Sequence, residues 1–183
     1  MTRIILIGYM GAGKTTIGKV LARELKQTFY DLDWYIEERF HKKIPDIFAE
    51  SGEVGFREIE RKMLHEVAEF EDVVISCGGG TPCHFDNMDY MNRQGETFFL
   101  NAAPPVLMEH LMMGKSVRPL IQGKSPDELE QFVRENLQAR LPFYTQAKHT
   151  IDIQVIHTRE QILAYAHQIA NLITPYPHNP ISS

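Results

Sequence analysis

The chain has little cysteine, no excess of positive charge and no long hydrophobic run. Only two of its 183 residues are cysteines, Cys77 and Cys83, which are too few for a disulfide framework and are typical of a reducing compartment. The net charge of −5 argues against nucleic acid or an anionic membrane as the main partner. No apolar run approaches the roughly 20 residues that a membrane-spanning helix needs. We therefore expect a cytoplasmic protein without a nucleic-acid or membrane partner.

The rest of the composition is that of an ordinary globular domain, and the pattern of apolar residues indicates its class. Apolar runs alternate with helical patterns along the whole chain, which is typical of an α/β fold with a parallel sheet. The predicted strands lie at residues 4–7, 28–30, 73–76, 97–100 and 149–155. We predict one three-layer α/β/α domain over residues 1–174, followed by a loose, proline-containing tail at 175–183.

Residues 8–15 carry the most specific motif of the chain, G-x-x-x-x-G-K-T. It follows four aliphatic residues, 4–7, that suit a strand buried on both faces. Its glycines permit a tight loop whose backbone N–H groups surround an anion. Lys14 would bring charge to the β- and γ-phosphates, and the Thr15 hydroxyl is placed for Mg²⁺. An ordinary glycine-rich turn is the alternative, but the strand before the motif and the helix after it favour a phosphate-binding P-loop.

Two carboxylates, Asp31 and Asp33, follow the second predicted strand. They would lie at the carboxyl edge of the sheet, where open α/β sheets bind ligands. Because side chains alternate along a strand, residues two apart point to the same side. One carboxylate would then organise Mg²⁺ while the other contacts an acceptor hydroxyl. The alternative is that Asp33 caps a helix starting at Trp34, and the two roles are compatible.

Two arginines outside the P-loop lie on predicted helices. The helical pattern from Leu129 places Arg140 in the middle of a buried stripe, where a guanidinium is costly unless it meets an anion. That anion is either a ligand or a core carboxylate in a structural ion pair. Arg57 lies at the edge of an apolar helix face, with Glu53 and Glu60 within helical reach. By itself, this second pattern indicates an i,i+4 surface pair.

Two glycine-containing segments complete the candidate site. Gly78, Gly79 and Gly80 follow the third predicted strand, either as a flexible turn or as a place where a ligand contacts backbone N–H groups directly. Residues 112–125 have no helical or strand period and contain three cationic residues and two glycines. This pattern is typical of a lid, because phosphoryl transfer needs water excluded and positive charge delivered late. A long solvated connection is the alternative.

Together these segments resemble the shikimate kinase family, a member of the nucleoside monophosphate kinase-like P-loop group. The resemblance extends to about residue 173 and depends on the order and spacing of several motifs. These are residues 8–15, Asp31-Leu32-Asp33, Gly52-Glu53, Phe56-Arg57-Glu58, Gly78-Gly79-Gly80, Arg118-Pro119-Leu120, and Arg140 before Pro142 and Tyr144. The resemblance implies a five-stranded parallel sheet in the order 2-3-1-4-5, a substrate-binding region at about 33–61 and a lid at about 112–125.

The resemblance also implies an activity, the Mg²⁺-dependent transfer of the ATP γ-phosphoryl group to the 3-hydroxyl of shikimate in aromatic amino-acid biosynthesis. The implied catalytic residues are Lys14, Asp33 and Arg118. The implied ATP-binding residues are Gly11, Ala12, Gly13, Lys14, Thr15, Thr16 and Arg118. The implied substrate-binding residues are Asp33, Arg57, Gly78, Gly79, Gly80 and Arg140, with Phe48 and Phe56 lining the pocket and Glu60 holding Arg57. Thr15 would ligate Mg²⁺ directly, and Asp31 would reach it through water.

One position departs from the family pattern. The family often has an arginine near the adenine, about seven residues before the lid arginine, and Leu111 stands there in this chain. Arg159 aligns only loosely with a second adenine contact near the last strand. The residues that contact the base are therefore the least defined part of the predicted site.

Two other functions are compatible with a P-loop. The first is another small-molecule kinase, such as a gluconate or nucleoside monophosphate kinase, but a monophosphate acceptor calls for more cations than Arg57 and Arg140. The second is a non-catalytic nucleotide-dependent switch, which should lack both the second acidic residue and the arginine pair. We therefore expect a monomeric kinase whose partners are the small molecules ATP and shikimate.

Overall fold

The computed structural model describes residues 2–113 and 125–173, and its centre is a parallel β-sheet. The strands are β1 (Arg3–Ile7), β2 (Thr28–Asp31), β3 (Val73–Ser76), β4 (Glu96–Ala102) and β5 (His149–Ile153). They pair in parallel in the order β2-β3-β1-β4-β5. The sheet order predicted from the sequence is therefore confirmed.

Helices flank both faces of this sheet. They are α1 (Lys14–Leu25), α2 (Leu32–Phe40), α3 (Ile44–Ala68), α4 (Asn87–Gln94), α5 (Pro104–Met113), α6 (Pro126–Tyr144) and α7 (Arg159–Ile173), with a short 3₁₀ helix at Thr81–Cys83. Four consecutive residues of β1, at positions 4–7, are fully buried. Because successive side chains of a strand point to opposite faces, this burial requires cover on both sides of the sheet. In the part of the chain that the structure describes, no helix is long and apolar enough to span a bilayer.

The helix α3 differs from its sequence prediction. The apolar pattern predicts a helix from Glu53 to Phe70, whereas α3 begins at Ile44 and ends at Ala68. Gly52 interrupts it with a φ of 67° and a ψ of −178°, so two helical segments meet at a kink. Glycine adopts this positive φ at little cost, and the helical direction resumes after it. The first segment was missed because its apolar face is short.

The helix ends show one further correction. Capping boxes begin α6 at Ser125 and α7 at Thr158, where each side chain and the residue three positions on bond reciprocally with backbone N–H groups. The cap of α2 is Asp31, whose Oδ1 accepts a hydrogen bond from the Trp34 backbone N–H at 3.3 Å. The prediction that Asp33 caps this helix is therefore wrong. Asp33 lies in the first turn of α2, so the alternation of a strand does not relate it to Asp31.

The strand order divides the carboxyl edge of the sheet into two sides. On the β2–β3 side, the ends of β2 and β3 are in register, with Asp31 opposite Ser76. The segment 77–80 therefore emerges beside the start of α2. On the β4–β5 side, the end of α5 and the segment 154–158 lie next to each other. The loop that follows β1, residues 8–13, lies between the two sides, because β1 is the central strand.

Candidate active site

The loop after β1 has the backbone shape of a phosphate-binding loop. Gly8 has a φ of 145°, and a Cβ atom there would lie 2.7 Å from the carbonyl oxygen of Leu100, so no side chain fits. Gly13 has a φ of 93° and forms the left-handed N-cap of α1. The N-terminus of α1 is thereby directed at the loop, where its unpaired N–H groups favour an anion.

Lys14 is held inside this loop. Its side chain is only 9% exposed, and Nζ donates hydrogen bonds to the carbonyl oxygens of Gly8 at 2.8 Å and Tyr9 at 3.0 Å. The ammonium group is thus folded over the concave side of the loop by its own backbone. A cation held there is placed for an anion that enters the loop.

Thr15 and Asp31 supply oxygen atoms at the mouth of the loop. The Thr15 hydroxyl donates to Oδ2 of Asp31 at 2.8 Å, while the other carboxylate oxygen caps α2. A hydroxyl and a carboxylate are the donor types that Mg²⁺ prefers. Within residues 2–113 and 125–173, no group of three or more His, Cys, Asp or Glu side chains could hold a metal ion by itself. The pair therefore fits a metal whose remaining ligands are phosphate oxygens and water.

A cavity of about 440 Å³ opens on the β4–β5 side of the loop. It is lined by five of the six P-loop residues predicted to bind ATP, namely Gly11, Gly13, Lys14, Thr15 and Thr16. Ala12, the sixth, is fully buried and does not line the cavity. Arg159 also lines this cavity, and Leu111 packs against the loop, 3.2 Å from the position that a Cβ atom on Gly11 would take.

Three charged side chains converge on the glycine triplet 78–80 on the β2–β3 side. Each glycine faces one of them, and the distance is taken from the position that a Cβ atom on the glycine would occupy. It is 3.0 Å from Gly78 to Oδ1 of Asp33, 3.1 Å from Gly79 to Nη1 of Arg140, and 2.5 Å from Gly80 to Nη2 of Arg57. A side chain at any of these positions would crowd the charged group beside it. The structure thus brings together Asp33, the triplet and both arginines, which the sequence places far apart.

Arg57 is part of a buried polar network. Its Nη1 donates to Oε2 of Glu60 at 2.8 Å, and Oε1 of the fully buried Glu60 accepts a hydrogen bond from the Thr81 hydroxyl at 2.6 Å. Glu53 is more distant, at 3.8 Å from Nη2. The interpretation of Arg57 as an i,i+4 surface pair is therefore wrong, because its side chain is only 14% exposed and its main partner is at i+3.

Arg140 has aromatic rather than acidic neighbours. Its Cζ lies 5.3 Å from the centre of the Tyr9 ring, a cation–π contact. No carboxylate of the described residues lies within ion-pair distance of its guanidinium. Burial raises the pKa of the Tyr9 and Tyr144 phenols, with the Arg140 charge acting in the opposite direction. Both phenols are thus neutral at physiological pH and supply no negative charge to Arg140. The structural ion pair considered for Arg140 is therefore not present among the described residues.

Aromatic and neutral groups form the rest of this pocket. Phe48 and Phe56 stack with ring centres 4.2 Å apart, and the Arg57 guanidinium lies 5.2 Å from the Phe56 ring centre. Burial raises the pKa of the Cys83 thiol and lowers the pKa of His84. Both groups are therefore uncharged near neutral pH, and the arginines and Asp33 carry the charge that a ligand would meet.

Three contacts of the site were not predicted from the sequence. Thr81 fixes Glu60, Tyr9 lies under Arg140, and Tyr144 donates its hydroxyl proton to the carbonyl oxygen of Gly79 at 2.6 Å. Tyr9 occupies a variable position of the P-loop motif, so its identity carries no signal. The other two act through partners on distant elements, which a single sequence does not reveal.

The predicted lid and tail are mostly outside the described residues. Met112 and Met113 end α5 and Ser125 caps α6, and these three residues are the parts of the lid segment 112–125 that the structure describes. Arg118, predicted to contact ATP, lies outside the described residues, as does the tail at 175–183.

The P-loop follows the central strand of a 2-3-1-4-5 sheet, and an aspartate and two arginines from three helices face the glycine triplet after the neighbouring strand. This arrangement defines a small-molecule kinase of the nucleoside monophosphate kinase type. The chain belongs to the shikimate kinase family. The family model described as "Shikimate kinase" matches residues 10–171. Members of this family are ATP-dependent kinases that phosphorylate shikimate.

Individual relatives show the same relationship. The shikimate kinase of Phocaeicola vulgatus is 60% identical over 164 residues, which cover 90% of this chain and 94% of that protein. The crystal structure of shikimate kinase from Bacteroides thetaiotaomicron has a TM-score of 0.92 at 55% identity, covering 94% of this chain and 98% of that one. Shikimate kinase from Acinetobacter baumannii in complex with shikimate has a TM-score of 0.81 at 34% identity, covering 94% and 93%. The family predicted from the motifs is confirmed.

Proposed function

We propose that this protein transfers the γ-phosphoryl group of ATP to the 3-hydroxyl group of shikimate. The observation that carries the proposal is the convergence of Asp33, Arg57 and Arg140 on a glycine triplet beside the P-loop. An acceptor with one carboxylate and several hydroxyls matches this set of one anion and two cations. The alternatives, a gluconate-type kinase or a nucleotide-dependent switch, are not favoured, because the chain is similar to shikimate kinases over nearly its whole length.

The two arginines are proposed to bind the acceptor carboxylate. Arg57 is oriented by Glu60, which occupies Nη1, and its Nη2 faces the triplet. Arg140 reaches the same triplet from α6 and has no carboxylate partner among the described residues. A bound carboxylate would supply the missing counter-charge, and planar guanidinium groups hold carboxylates in a defined orientation.

Asp33 is proposed to orient the attacking hydroxyl and accept its proton. The other carboxylate nearby, Glu60, is already bonded to Arg57 through one oxygen and to Thr81 through the other. Asp33 faces Gly78 from the first turn of α2, between this pocket and the P-loop. A carboxylate within hydrogen-bond reach of the nucleophile is the usual general base of a phosphoryl transfer.

The P-loop side is proposed to bind ATP. Lys14 and the N-terminus of α1 would hold the β- and γ-phosphates, and the nucleoside would occupy the cavity beside Thr16 and Arg159. Thr15 would hold Mg²⁺ directly and Asp31 would hold it through water. When bound, this ion neutralises charge on the phosphate oxygens. Arg118 is proposed to reach the transferring group from the lid.

We further propose that the protein acts in the cytoplasm as a monomer. Both cysteines are free thiols, which is consistent with a reducing compartment. The residues assigned to the acceptor pocket all come from one chain, so this pocket needs no second copy.

A coupled assay of ADP release over a panel of acceptors tests the proposed function. We expect turnover with ATP and shikimate, little turnover without an acceptor, and much lower kcat/KM with gluconate or a nucleoside monophosphate. Phosphorus NMR of the product should show one phosphate monoester at the 3-oxygen. The Lys14→Met variant is the matched control for contaminating kinases. A higher kcat/KM with gluconate or a nucleoside monophosphate would contradict the assignment.

A further inference from the structure

We infer that His110 is a positioning residue that joins the P-loop to the segment after β5 and so fixes the nucleotide cavity, an inference that rests on the proposed function. His110 lies near the end of α5 and lines the cavity. Its Nδ1 is 2.7 Å from the carbonyl oxygen of Gly11, and its Nε2 is 2.9 Å from the backbone nitrogen of Ile156. One imidazole ring thus contacts the backbones of both walls.

The two contacts favour one tautomer of the imidazole ring. The Ile156 backbone can only donate, so Nε2 accepts and carries no proton. The Gly11 carbonyl can only accept, so the single proton of a neutral imidazole lies on Nδ1. One tautomer satisfies both backbone groups.

The contact to Gly11 restrains the shape of the P-loop. The peptide group between Gly11 and Ala12 is held at both ends, because its N–H donates to the Tyr9 carbonyl at 3.1 Å while its C=O accepts from His110. Gly11 has a φ of 84° and no Cβ atom, so steric contacts restrain its backbone less than that of any other residue. His110 therefore keeps this part of the loop in one orientation.

The contact to Ile156 places the opposite wall. The Ile156 side chain lies 3.4 Å from the position that a Cβ atom on Gly13 would take, so it packs directly on the start of α1. Arg159, on the same wall, follows three residues later. Leu111, the residue after His110, packs against the P-loop 3.2 Å from the position that a Cβ atom on Gly11 would take. We assign to the neighbouring His110 the role of holding this side of the cavity through the backbone.

Three substitutions separate the two contacts. His110→Asn keeps an amide donor near Nδ1 and loses the Nε2 acceptor, whereas His110→Gln places its amide near Nε2 and loses the Nδ1 donor. His110→Phe loses both and keeps the ring volume. The matched control is His167→Gln, an exposed histidine on α7 that pairs with Glu24 at 3.6 Å.

The measurements are the KM for ATP and for shikimate, kcat, calorimetric binding of a non-hydrolysable ATP analogue, and hydrogen exchange of the Ile156 amide. We expect His110→Phe to weaken analogue binding and raise the KM for ATP about tenfold, as expected for two hydrogen bonds. The KM for shikimate and kcat should change less than about threefold. The Ile156 amide should exchange faster in the Phe and Asn variants than in Gln, and His167→Gln should match the wild type.

Each outcome decides a separate question. Unchanged analogue binding in all three folded variants overturns the inference while the proposed function stands. An equal rise of KM for both substrates also overturns it, because it indicates a general structural role. If His110→Phe does not fold, the Asn and Gln variants decide by the same criteria. Absence of analogue binding by the wild type overturns the proposed function and the inference with it.

Discussion

The two sides of the carboxyl edge of the sheet are built by different means. On the β2–β3 side, charged side chains define the pocket, and a buried network of Arg57, Glu60 and Thr81 holds them in place. On the β4–β5 side, backbone groups of the P-loop and of the segment after β5 define the cavity, and His110 connects them. The β2–β3 pocket therefore depends on the identity of its charged side chains. The shape of the β4–β5 cavity depends mainly on the conformation of the backbone.

This difference predicts how each side responds to substitution. A lost charge on the β2–β3 side removes a ligand contact and leaves its buried partner unpaired. A lost side chain on the β4–β5 side leaves most backbone contacts intact. Lys14 is the exception on the phosphate side, since its ammonium charge is itself the functional group.

The largest expected effect is therefore that of Lys14→Met. We expect kcat to fall about a thousandfold, because the cation acts on charge that develops on the phosphates. The thermal midpoint should change little, since the fold rests on the buried strand beneath the loop. Kinetics and thermal unfolding of the same preparation check both points. Near-normal turnover in a folded variant would refute the P-loop assignment.

Asp33→Asn tests the chemical role of the β2–β3 side. An amide can still bind hydroxyl groups but cannot accept a proton, so kcat should fall by about two to four orders of magnitude with little change in shikimate affinity. The comparison variant is Glu60→Gln, which should weaken shikimate binding by releasing Arg57. If Glu60→Gln lost kcat as strongly as Asp33→Asn, the assignment of the base to Asp33 would be wrong.

Arg57→Ala should separate the two sides by ligand. We expect the Kd for shikimate to rise about thirtyfold, since a charge-assisted guanidinium–carboxylate contact contributes about 2 kcal/mol. The Kd for ATP without shikimate should stay within about twofold of wild type. The thermal midpoint should also fall, because Glu60 is fully buried and loses its cationic partner. Equal losses of affinity for shikimate and for ATP would contradict the assignment of the two ligands to different sides.

Gly80→Ala should act through Arg57. A Cβ atom at Gly80 would lie 2.5 Å from Nη2 of Arg57, so the guanidinium must move and shikimate binding should weaken about tenfold. In the Arg57→Ala background the same methyl group should cost little. A double-mutant cycle on the Kd for shikimate measures this coupling. Additive effects would show that the glycine acts independently of Arg57.

The smallest expected effect lies at the opposite end of the sheet. Glu96, at the start of β4, bonds His149 at 2.8 Å and Lys148 at 3.0 Å, and these contacts, His149 first, lower its pKa. A lowered pKa in the fold means stability that is present above the ordinary carboxyl range and lost as pH falls through the folded value. Glu96→Gln should lower stability at pH 7 by less than about 1 kcal/mol, because the pair is exposed.

That difference between Glu96→Gln and wild type should shrink as pH falls through the lowered pKa of Glu96 and vanish in acid well below it, where both side chains are neutral. Thermal unfolding across this pH range is the measurement. The kinetic constants for both substrates should be unchanged at pH 7, since Glu96 lies far from the carboxyl edge. A persistent stability difference in acid would contradict the electrostatic explanation.

Most of the fold was predictable because local patterns agree with the final structure. The aliphatic run at 4–7 indicates a doubly covered strand, and the capping residues Ser125 and Thr158 mark helix starts. The first segment of α3 was missed because its apolar face is short, and no apolar pattern records the kink at Gly52, whose φ is positive. The cap of α2 was predicted at Asp33, whereas it is Asp31. Both residues are aspartates, which favour the N-cap position, so the residue type does not distinguish them.

The site was predictable where a residue type carries its own chemistry. Lys14 stood out through the P-loop motif, Asp33 through its place after a predicted strand, and Arg140 because a charge within an apolar stripe needs a partner. The contact of Arg57 with Glu60 was implied by the resemblance and is present, whereas Thr81, which fixes Glu60, lies on a distant element and was not predicted. His110 gave no signal either, since both of its partners are backbone groups brought close only by the sheet order.

The central claim is that the β2–β3 side recognises a carboxylate through Arg140 and Arg57. The most direct test compares shikimate with its neutral carboxamide as acceptors for the wild type and for Arg140→Ala. The account predicts that the wild type prefers shikimate by about a hundredfold in kcat/KM, and that Arg140→Ala discriminates about tenfold less. Equal discrimination by both proteins would contradict the account and leave Arg140 with only a structural role.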